Sequence, residues 1–213
     1  TITSSSGGAS PGSAAPTPSV SPVATATGDG ITVTTNVSAL LGRALAFTGA
    51  AAPTSAGQAI VVQRLDSLSG WVSVASGTVA SGGAFSVLWR TNYAGRVTLR
   101  TVLERTASAS QTGQISPTLQ ITVYRPAVAT YYGTGFFGKR TACGTILRAS
   151  TLGVASRTLK CGTPVQIYYR GRSIVVPVID RGPYANHASW DLTQATAQAL
   201  GMLGTATVGA MPV

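Results

Sequence analysis

Charged residues are scarce in this chain of 213 residues, of which 9% are Asp, Glu, Lys or Arg. Five carboxylates face 15 Lys and Arg residues, which gives a formal net charge of +10. A surface of this sign attracts polyanions, but the chain lacks a cluster of basic and aromatic residues that would predict a nucleic-acid partner. It also lacks an apolar run of about 18 residues, so no membrane-spanning helix is expected.

Cysteine and histidine are also scarce in the sequence, which has two cysteines, Cys143 and Cys161, and one histidine, His187. A structural zinc site needs four nitrogen or sulfur ligands, so no metal site is predicted, and no cofactor either. Two alternatives remain for the cysteines, a disulfide or two buried free thiols. The sequence favours the disulfide, which implies an oxidising compartment outside the cytoplasm. A chain that begins at Thr1 rather than Met is also what removal of an export signal leaves.

Apolar residues that could form a core are nearly missing from residues 1–28, a tract of Ser, Thr, Ala, Pro and Gly. Such a composition cannot offset the entropy lost on ordering, so this tract is expected to be a disordered or polyproline-like tail. A tail of this kind becomes ordered when it pairs as a strand with a neighbouring subunit.

Residues 29–125 have the pattern of an antiparallel β-sandwich, with short β-rich runs separated by Gly, Ser and Pro clusters. The predicted strands are residues 30–36, 44–48, 58–65, 70–75, 84–90, 96–103 and 119–124. Phe85, Val87 and Trp89 alternate with polar residues, which places them on one buried face. Seven strands in about a hundred residues are typical of an immunoglobulin-like domain.

Residues 126–213 form the second predicted domain, again built from short β-rich runs joined by glycine turns. The predicted strands are residues 129–132, 164–169, 173–179 and 206–208. One helix is predicted over residues 193–200, with Asp191 or Thr193 as its N-cap and Gly201 as its end. The fold class is therefore all-β, with a small closed barrel and one short helix after the sandwich.

Carboxylates are almost confined to two positions in this second domain. Asp180 ends a buried strand pattern and Asp191 precedes the helix, and no other acid follows Glu104. Each residue also has a purely structural interpretation, Asp191 as a helix cap and Asp180 as a turn residue paired with Arg181. Two scarce acids at the ends of adjacent elements are nevertheless the best candidates for chemistry.

Six segments of the second domain resemble the double-psi β-barrel of the rare lipoprotein A family, which are septal lytic transglycosylases. The matching segments are residues 129–133, 140–144, 156–159, 161–163, 178–184 and 191–193. Expansins and a group of inverting endoglucanases share this barrel. The resemblance implies a six-stranded double-psi barrel over about residues 127–209, with a groove that holds a glycan strand.

The resemblance also implies roles for individual residues. Asp180 and Asp191 match the two acids that the family keeps, with Asp191 as the proton donor and Asp180 held ionised by the neighbouring Arg181. Thr130 and Tyr132 match residues that line the groove, and Arg181 and Tyr184 belong to the same motif as Asp180. These four are predicted to contact the glycan.

Two positions depart from the family pattern. Active septal transglycosylases carry a Glu where this chain has Thr145 and a His where it has Ser156. The lone His187, in the loop between the two acids, is interpreted as a solvated loop residue rather than a replacement. Whether the barrel cleaves bonds is therefore left open by the sequence, because fold does not guarantee function.

Two hypotheses follow for the whole chain. The first is a secreted protein of the cell envelope whose barrel binds or cleaves peptidoglycan or a similar polysaccharide. The second is a non-catalytic subunit of an extracellular fibre or surface layer, a homopolymer assembled through residues 1–28.

Overall fold

The computed structural model describes residues 19–20, 22–104, 113–184 and 187–213. Most of the predicted tail, residues 1–18 and residue 21, lies outside the described residues. Within the described part, two β-sheets pack as a sandwich and a third sheet closes into a barrel. No helix in these ranges is both long and apolar enough to cross a membrane.

The N-terminal half is a β-sandwich. The chain enters it through β1 (Ser19–Val20), and the sandwich strands are β2 (Val23–Gly28), β3 (Ile31–Asn36), β4 (Ser38–Leu40), β5 (Ala44–Ala50), β6 (Ala59–Asp66), β7 (Gly70–Thr78), β8 (Ala84–Arg90), β9 (Gly95–Leu103), β10 (Gln114–Ile115) and β11 (Leu119–Tyr124). One sheet has the order β2-β3-β5-β8, and the other has the order β4-β11-β9-β6-β7, with β10 paired to β9.

All seven strands predicted for the sandwich are present, within a few residues of their predicted ends. The alternating pattern of β8 holds, since Phe85, Val87 and Trp89 are buried and their neighbours are exposed. These side chains join a single hydrophobic core between the two sheets. The sandwich is thus confirmed, whereas its immunoglobulin-like character stays a prediction.

Part of the predicted tail belongs to the sandwich, and the expectation of an unstructured segment is wrong for Val23–Gly28. This strand pairs with β3 along its whole length. Ala26 is buried in the core, and on the outer side Thr25 and Thr34 share a hydrogen bond of 2.9 Å between their hydroxyls. The alternation of Ala and Thr that suggests low complexity is thus the in-and-out alternation of a strand.

The short strand β1 pairs with the barrel of its own chain, not with a neighbour. Ser19 lies opposite Ser173, and Val20 lies opposite Arg172. The predicted homopolymer through residues 1–28 therefore has no support from the contacts made by the described part of this segment.

The C-terminal half is a closed six-stranded barrel, as predicted. Its strands are β12 (Pro126–Tyr132), β13 (Val154–Ala155), β14 (Pro164–Tyr169), β15 (Arg172–Asp180), β16 (Trp190–Thr193) and β17 (Ala206–Pro212). The order around the barrel is β15-β13-β16-β12-β17-β14, and pairing of β14 with β15 closes the ring. A second hydrophobic core fills its interior.

The predicted helix is present as α1 (Gln194–Leu200). Thr193 is its N-cap, because its side chain accepts a hydrogen bond from the backbone N–H of Thr196. Gly201 ends the helix in the left-handed conformation that glycine adopts most readily. Thr193 rather than Asp191 therefore satisfies the start of the helix, which leaves the Asp191 carboxyl group for another role.

Candidate functional site: an acidic groove on the barrel

The two acids lie on strands that flank the same short strand. Asp180 is the last residue of β15 and Asp191 is the second residue of β16. Between them runs β13, where Ala155 lies opposite both residues. Adjacent strands are about 4.8 Å apart, so two strand spacings separate the acid backbones by about 10 Å. The methyl side chain of Ala155 leaves the space between the carboxyl groups open.

All six predicted groove residues line one open cavity of about 250 Å³. They are Thr130, Tyr132, Asp180, Arg181, Tyr184 and Asp191. The structure therefore brings together residues from β12, from β16 and from the end of β15 with the loop after it. Their assignment as catalytic or glycan-binding residues stays a prediction.

Asp191 is half-buried at the floor of this groove. Its Oδ1 accepts a hydrogen bond of 2.8 Å from the hydroxyl of Thr130, which lies opposite it on β12. Burial raises the pKa of Asp191 above its ordinary value, because a charged carboxylate loses water there. The Thr130 hydrogen bond works against this rise in the pKa, and the negative charge of Asp180 adds to it. Asp191 therefore holds its proton to higher pH than an ordinary aspartate does.

Asp180 is fixed by the backbone around it. Its Oδ1 accepts hydrogen bonds from the backbone N–H groups of Ala142, at 2.9 Å, and Arg181, at 2.8 Å. These donors fix the carboxyl group at the end of β15, where it lines the groove.

The predicted ion pair between Asp180 and Arg181 is wrong. The Arg181 guanidinium instead donates to the backbone carbonyls of Ser156, at 3.1 Å, and Leu159, at 2.7 Å. Within the described ranges the sole ion pair joins Arg64 to Asp66 in the sandwich. The physical reason is that one guanidinium nitrogen, Nη1, donates to both carbonyls, and these two bonds draw the side chain away from the carboxylate.

The Tyr132 hydroxyl lies in the groove near both acids. The hydroxyl is buried and has no hydrogen-bond partner among the described residues. Burial raises the pKa of Tyr132 well above its ordinary value, and the negative charges of Asp180 and Asp191 and a loose contact of the hydroxyl with the Asp180 carboxyl group raise it further. The hydroxyl therefore remains protonated, as a donor beside both acids whose contact with Asp180 falls short of a well-formed hydrogen bond.

Aromatic rings form the rim of the groove. Tyr184 is 80% exposed and Phe136 is 53% exposed. The Phe136 ring packs edge-on against Tyr132, with centroids 6.0 Å apart. Flat apolar rings beside polar donors and carboxylates suit a ligand with alternating apolar and hydroxyl-bearing faces, such as a sugar.

The predicted disulfide is present and supports the wall of the groove. Cys143 and Cys161 are bonded, with Cα atoms 5.7 Å apart. Arg181 also donates to Cys161 Sγ at 3.3 Å. The disulfide and Arg181 together hold the loop that follows β13 against the strand end that carries Asp180.

The two positions that depart from the family pattern face their own loops. Ser156 is buried, and its hydroxyl accepts hydrogen bonds from the backbone N–H groups of Thr158 and Leu159. Thr145 pairs through its backbone with Thr141. Neither residue lines the groove, and neither does His187, which is exposed in the loop as predicted. Among its described lining residues, the groove thus offers two carboxyl groups and the hydroxyls of Thr130, Tyr132 and Tyr184 as proton-bearing groups.

The groove does not have the composition of a metal site. Across the described ranges, no group of three or more His, Cys, Asp or Glu residues lies close enough to hold an ion. Four lining residues were not among the predicted site residues. Gly182 and Pro183 belong to the matched segment 178–184, whereas Ala155 and Phe136 lie outside all the matched segments. Phe136 had a usable signal, because an aromatic residue set among glycines in a loop is often exposed; Ala155 had none.

Comparison with known proteins agrees with this geometry. The family model described as "Lytic transglycolase", a double-psi β-barrel family, matches residues 126–213. Residues 126–213 are an RlpA-like double-psi β-barrel.

Curated relatives of this RlpA-like barrel come from several bacteria. The probable endolytic peptidoglycan transglycosylase RlpA of Synechocystis is 40% identical over 77 residues, which are 35% of this chain and 24% of that protein. The endolytic peptidoglycan transglycosylase RlpA of Campylobacter jejuni is 33% identical over 82 residues, covering 38% of this chain and 30% of that protein. The chain spans about a quarter of the length of the first curated relatives that it matches.

A solved structure also resembles the chain. The Streptomyces papain inhibitor is 32% identical, covering 40% of this chain and 91% of the inhibitor, with a TM-score of 0.33.

Proposed function

We propose that the RlpA-like barrel binds peptidoglycan-type glycan strands in its groove and cleaves them by the route of a lytic transglycosylase. The observation that carries this proposal is the pair of carboxyl groups on either side of Ala155, one of which is half-buried with a raised pKa. Similarity to the RlpA proteins supports the choice of peptidoglycan. The disulfide supports a location outside the cytoplasm, in the cell envelope or secreted.

In this reaction Asp191 is both the acid and the base. The protonated carboxyl group donates its proton to the glycosidic oxygen, and the bond from that oxygen to the sugar carbon C1 breaks. The negative charge of Asp180 stabilises the positive charge that develops on the sugar ring. The 6-hydroxyl oxygen of the same sugar then attacks C1, and Asp191 takes up the hydroxyl proton. The products are a new free hydroxyl and a 1,6-anhydro ring, no water is consumed, and Asp191 ends protonated.

Other groups in the groove would orient the bound glycan strand. The Tyr132 hydroxyl, which makes no well-formed hydrogen bond with the described residues, can donate to a sugar oxygen beside the two acids. The exposed rings of Tyr184 and Phe136 can pack against sugar faces on either side of the cleaved bond. The family's Glu and His are not needed for a proton cycle that runs through one carboxyl group.

Asp191→Asn tests the proposal. The variant keeps an oxygen that can accept from Thr130 but cannot carry the proton, so release of anhydro-muropeptides should fall by about 10²- to 10⁴-fold. The assay is mass spectrometry of the soluble products from purified peptidoglycan. Asp29→Asn is the matched control, because Asp29 is exposed in a sandwich turn and its change should leave the rate unaltered.

A second candidate, glycan binding without cleavage, is favoured by Thr145 and Ser156, whose side chains do not line the groove. It predicts that the wild-type protein sediments with peptidoglycan and that Tyr184→Ala weakens this binding, while no anhydro-muropeptide is released. A release rate that Asp191→Asn leaves unchanged would refute the proposed cleavage mechanism.

A further inference from the structure

A second cavity, of about 500 Å³, lies between the sandwich and the barrel. Its sandwich wall is formed around β4 and its barrel wall by the β14–β15 hairpin and the start of β17. The lining is rich in polar side chains, among them Asn36, Ser38, Thr205 and Thr207. This volume lies within the roughly 300–1,000 Å³ of small-molecule sites in proteins. We call this cavity the interdomain cleft.

The walls of the interdomain cleft are held in place. A single residue, Arg125, separates β11 from β12, and the Tyr124 ring stacks on Tyr168 with centroids 5.4 Å apart. Gly209 permits this contact, since a Cβ atom there would lie 2.4 Å from the Tyr124 Cβ. A preformed cleft spares a ligand the cost of ordering its own site.

Charge in the interdomain cleft is of one sign. Arg43 lines it from the sandwich and Arg170 from the barrel. None of the five carboxylates of the chain lines it. Two positive side chains that line one cleft without an acid favour an oxyanion there, because an anion between them would lower their mutual repulsion.

Arg170 occupies a position where its side chain is unfavourable for the fold. It lies with Gly171 in the two-residue turn of the β14–β15 hairpin, and both residues have positive φ, 44° and 81°. Turns of this kind prefer Asn-Gly or Asp-Gly, because a larger side chain crowds the backbone there. The β2–β3 hairpin of the same chain does use Asp29-Gly30, with φ of 47° and 75°. The Arg170 guanidinium lies 5.4 Å from the centroid of the Tyr169 ring, which lines the same cleft. An Arg at a strained position, with its guanidinium placed at the wall of the cleft, points to a use for that group.

Arg43 is also held by its backbone. The Thr91 hydroxyl donates to the carbonyls of both Leu40 and Arg43, at 2.8 and 3.0 Å. The Arg43 N–H in turn donates to the Leu40 carbonyl at 3.1 Å. The tight turn therefore projects Arg43 from a fixed point beside the interdomain cleft.

We propose that the interdomain cleft is a binding site for an oxyanion, a phosphate or carboxylate group, held between Arg43 and Arg170. Charge-assisted hydrogen bonds from the two guanidinium groups provide the affinity, and the hydroxyls of Ser38, Thr205 and Thr207 provide further donors. The site is independent of the acidic groove and does not rest on the function proposed for it.

The test is an NMR titration of the full chain with inorganic phosphate, and separately with acetate, against chloride at constant ionic strength. Phosphate, acetate or both should shift the backbone amides of Gly42, Gly171 and Thr205 with saturation. Arg43→Gln should weaken binding and so raise the dissociation constant by roughly 10- to 100-fold. Arg148→Gln, which removes the same charge from an exposed loop of the barrel, should leave it unchanged. The two anions distinguish a phosphate from a carboxylate ligand, and saturation by either supports the site.

Arg170→Asn separates ligand binding from folding. Because Asn suits the turn better, this variant should unfold at a temperature a few degrees higher, while its affinity for the anion falls by about tenfold or more. Titrations that do not saturate with either anion would overturn the proposal. An equal loss of affinity in Arg148→Gln, or unchanged affinity in Arg170→Asn, would do so too.

Discussion

Asp191 is half-buried and lines an open groove, so its carboxyl group is partly removed from water and yet within reach of a ligand. Burial makes the charged form of the carboxyl group less stable, and the hydrogen bond from the Thr130 hydroxyl offsets only part of this desolvation free energy. Strain of this kind at one residue is typical of functional sites, where stability is given up for a proton at the right place.

The raised pKa of Asp191 predicts how Asp191→Asn changes the stability of the barrel. Because the pKa in the folded state is above the ordinary 3.8, the unfolded chain loses its proton first as pH rises. The wild type therefore loses stability between pH 3.8 and its folded-state pKa, and the neutral Asn does not. Urea unfolding should find the variant equal to the wild type below pH 3.8 and more stable near pH 7. A variant that is less stable at pH 7, or a gain that does not depend on pH, would contradict this.

Tyr132→Phe removes a hydroxyl that is buried and makes no well-formed hydrogen bond with the described residues, its contact with Asp180 being loose. The fold should therefore lose nothing, and the free energy of unfolding should stay equal or rise by up to about 1 kcal/mol. Turnover or glycan affinity should fall roughly tenfold, because the donor between the two acids is gone. Denaturant unfolding and the product assay together test this prediction. If the hydroxyl had only a structural role, Tyr132→Phe would lower the stability and leave turnover and glycan affinity unchanged.

Among the elements, the strands of the sandwich were the most predictable. Their signal is local, because a residue such as Val87 alternates with exposed neighbours inside a run bounded by turns. The helix was predictable for the same reason, since Thr193 and Gly201 mark its ends in the sequence. The disulfide followed from the count of two cysteines.

Elements stabilised by distant partners were not predictable. Strand β2 has the composition of a linker, and only pairing with β3 and burial of Ala26 make it a strand. The direction of Arg181 depends on carbonyls more than 20 residues earlier, which no local pattern reveals. For the groove, the resemblance supplied the residues, and the structure supplied the short strand β13 that spaces the two acids.

The position of β2 makes a prediction about truncation. A chain that begins at Val23 keeps every sandwich strand, whereas one that begins at Asp29 loses β2 and exposes the edge of β3. The shorter chain should be less stable by about 1–3 kcal/mol in the sandwich transition, because it loses one strand of pairing and buried alanine surface. Denaturant unfolding of both chains measures this. Equal stabilities would show that β2 contributes little to the sandwich.

At the scale of the whole molecule, two domains that share an interface present two different polar sites. The barrel groove carries two carboxyl groups, and the interdomain cleft carries two guanidinium groups and no acid. The chain has only five acids and a net charge of +10, and both acids of the barrel lie in this one groove. Their position together is therefore a specific feature of the groove. In the groove, the negative charge of Asp180 therefore raises the pKa of Asp191 and helps it to keep its proton.

This coupling between Asp180 and Asp191 can be measured by carbon-13 NMR titration of the aspartate carboxyl groups in the intact protein. The pKa of Asp191 should lie above its ordinary value of 3.8. It should fall in Asp180→Asn, which removes a negative charge, and rise in Thr130→Val, which removes the hydrogen bond to the carboxylate. An Asp191 carboxyl group that titrates at or below 3.8, or that does not respond to Asp180→Asn, would contradict the account.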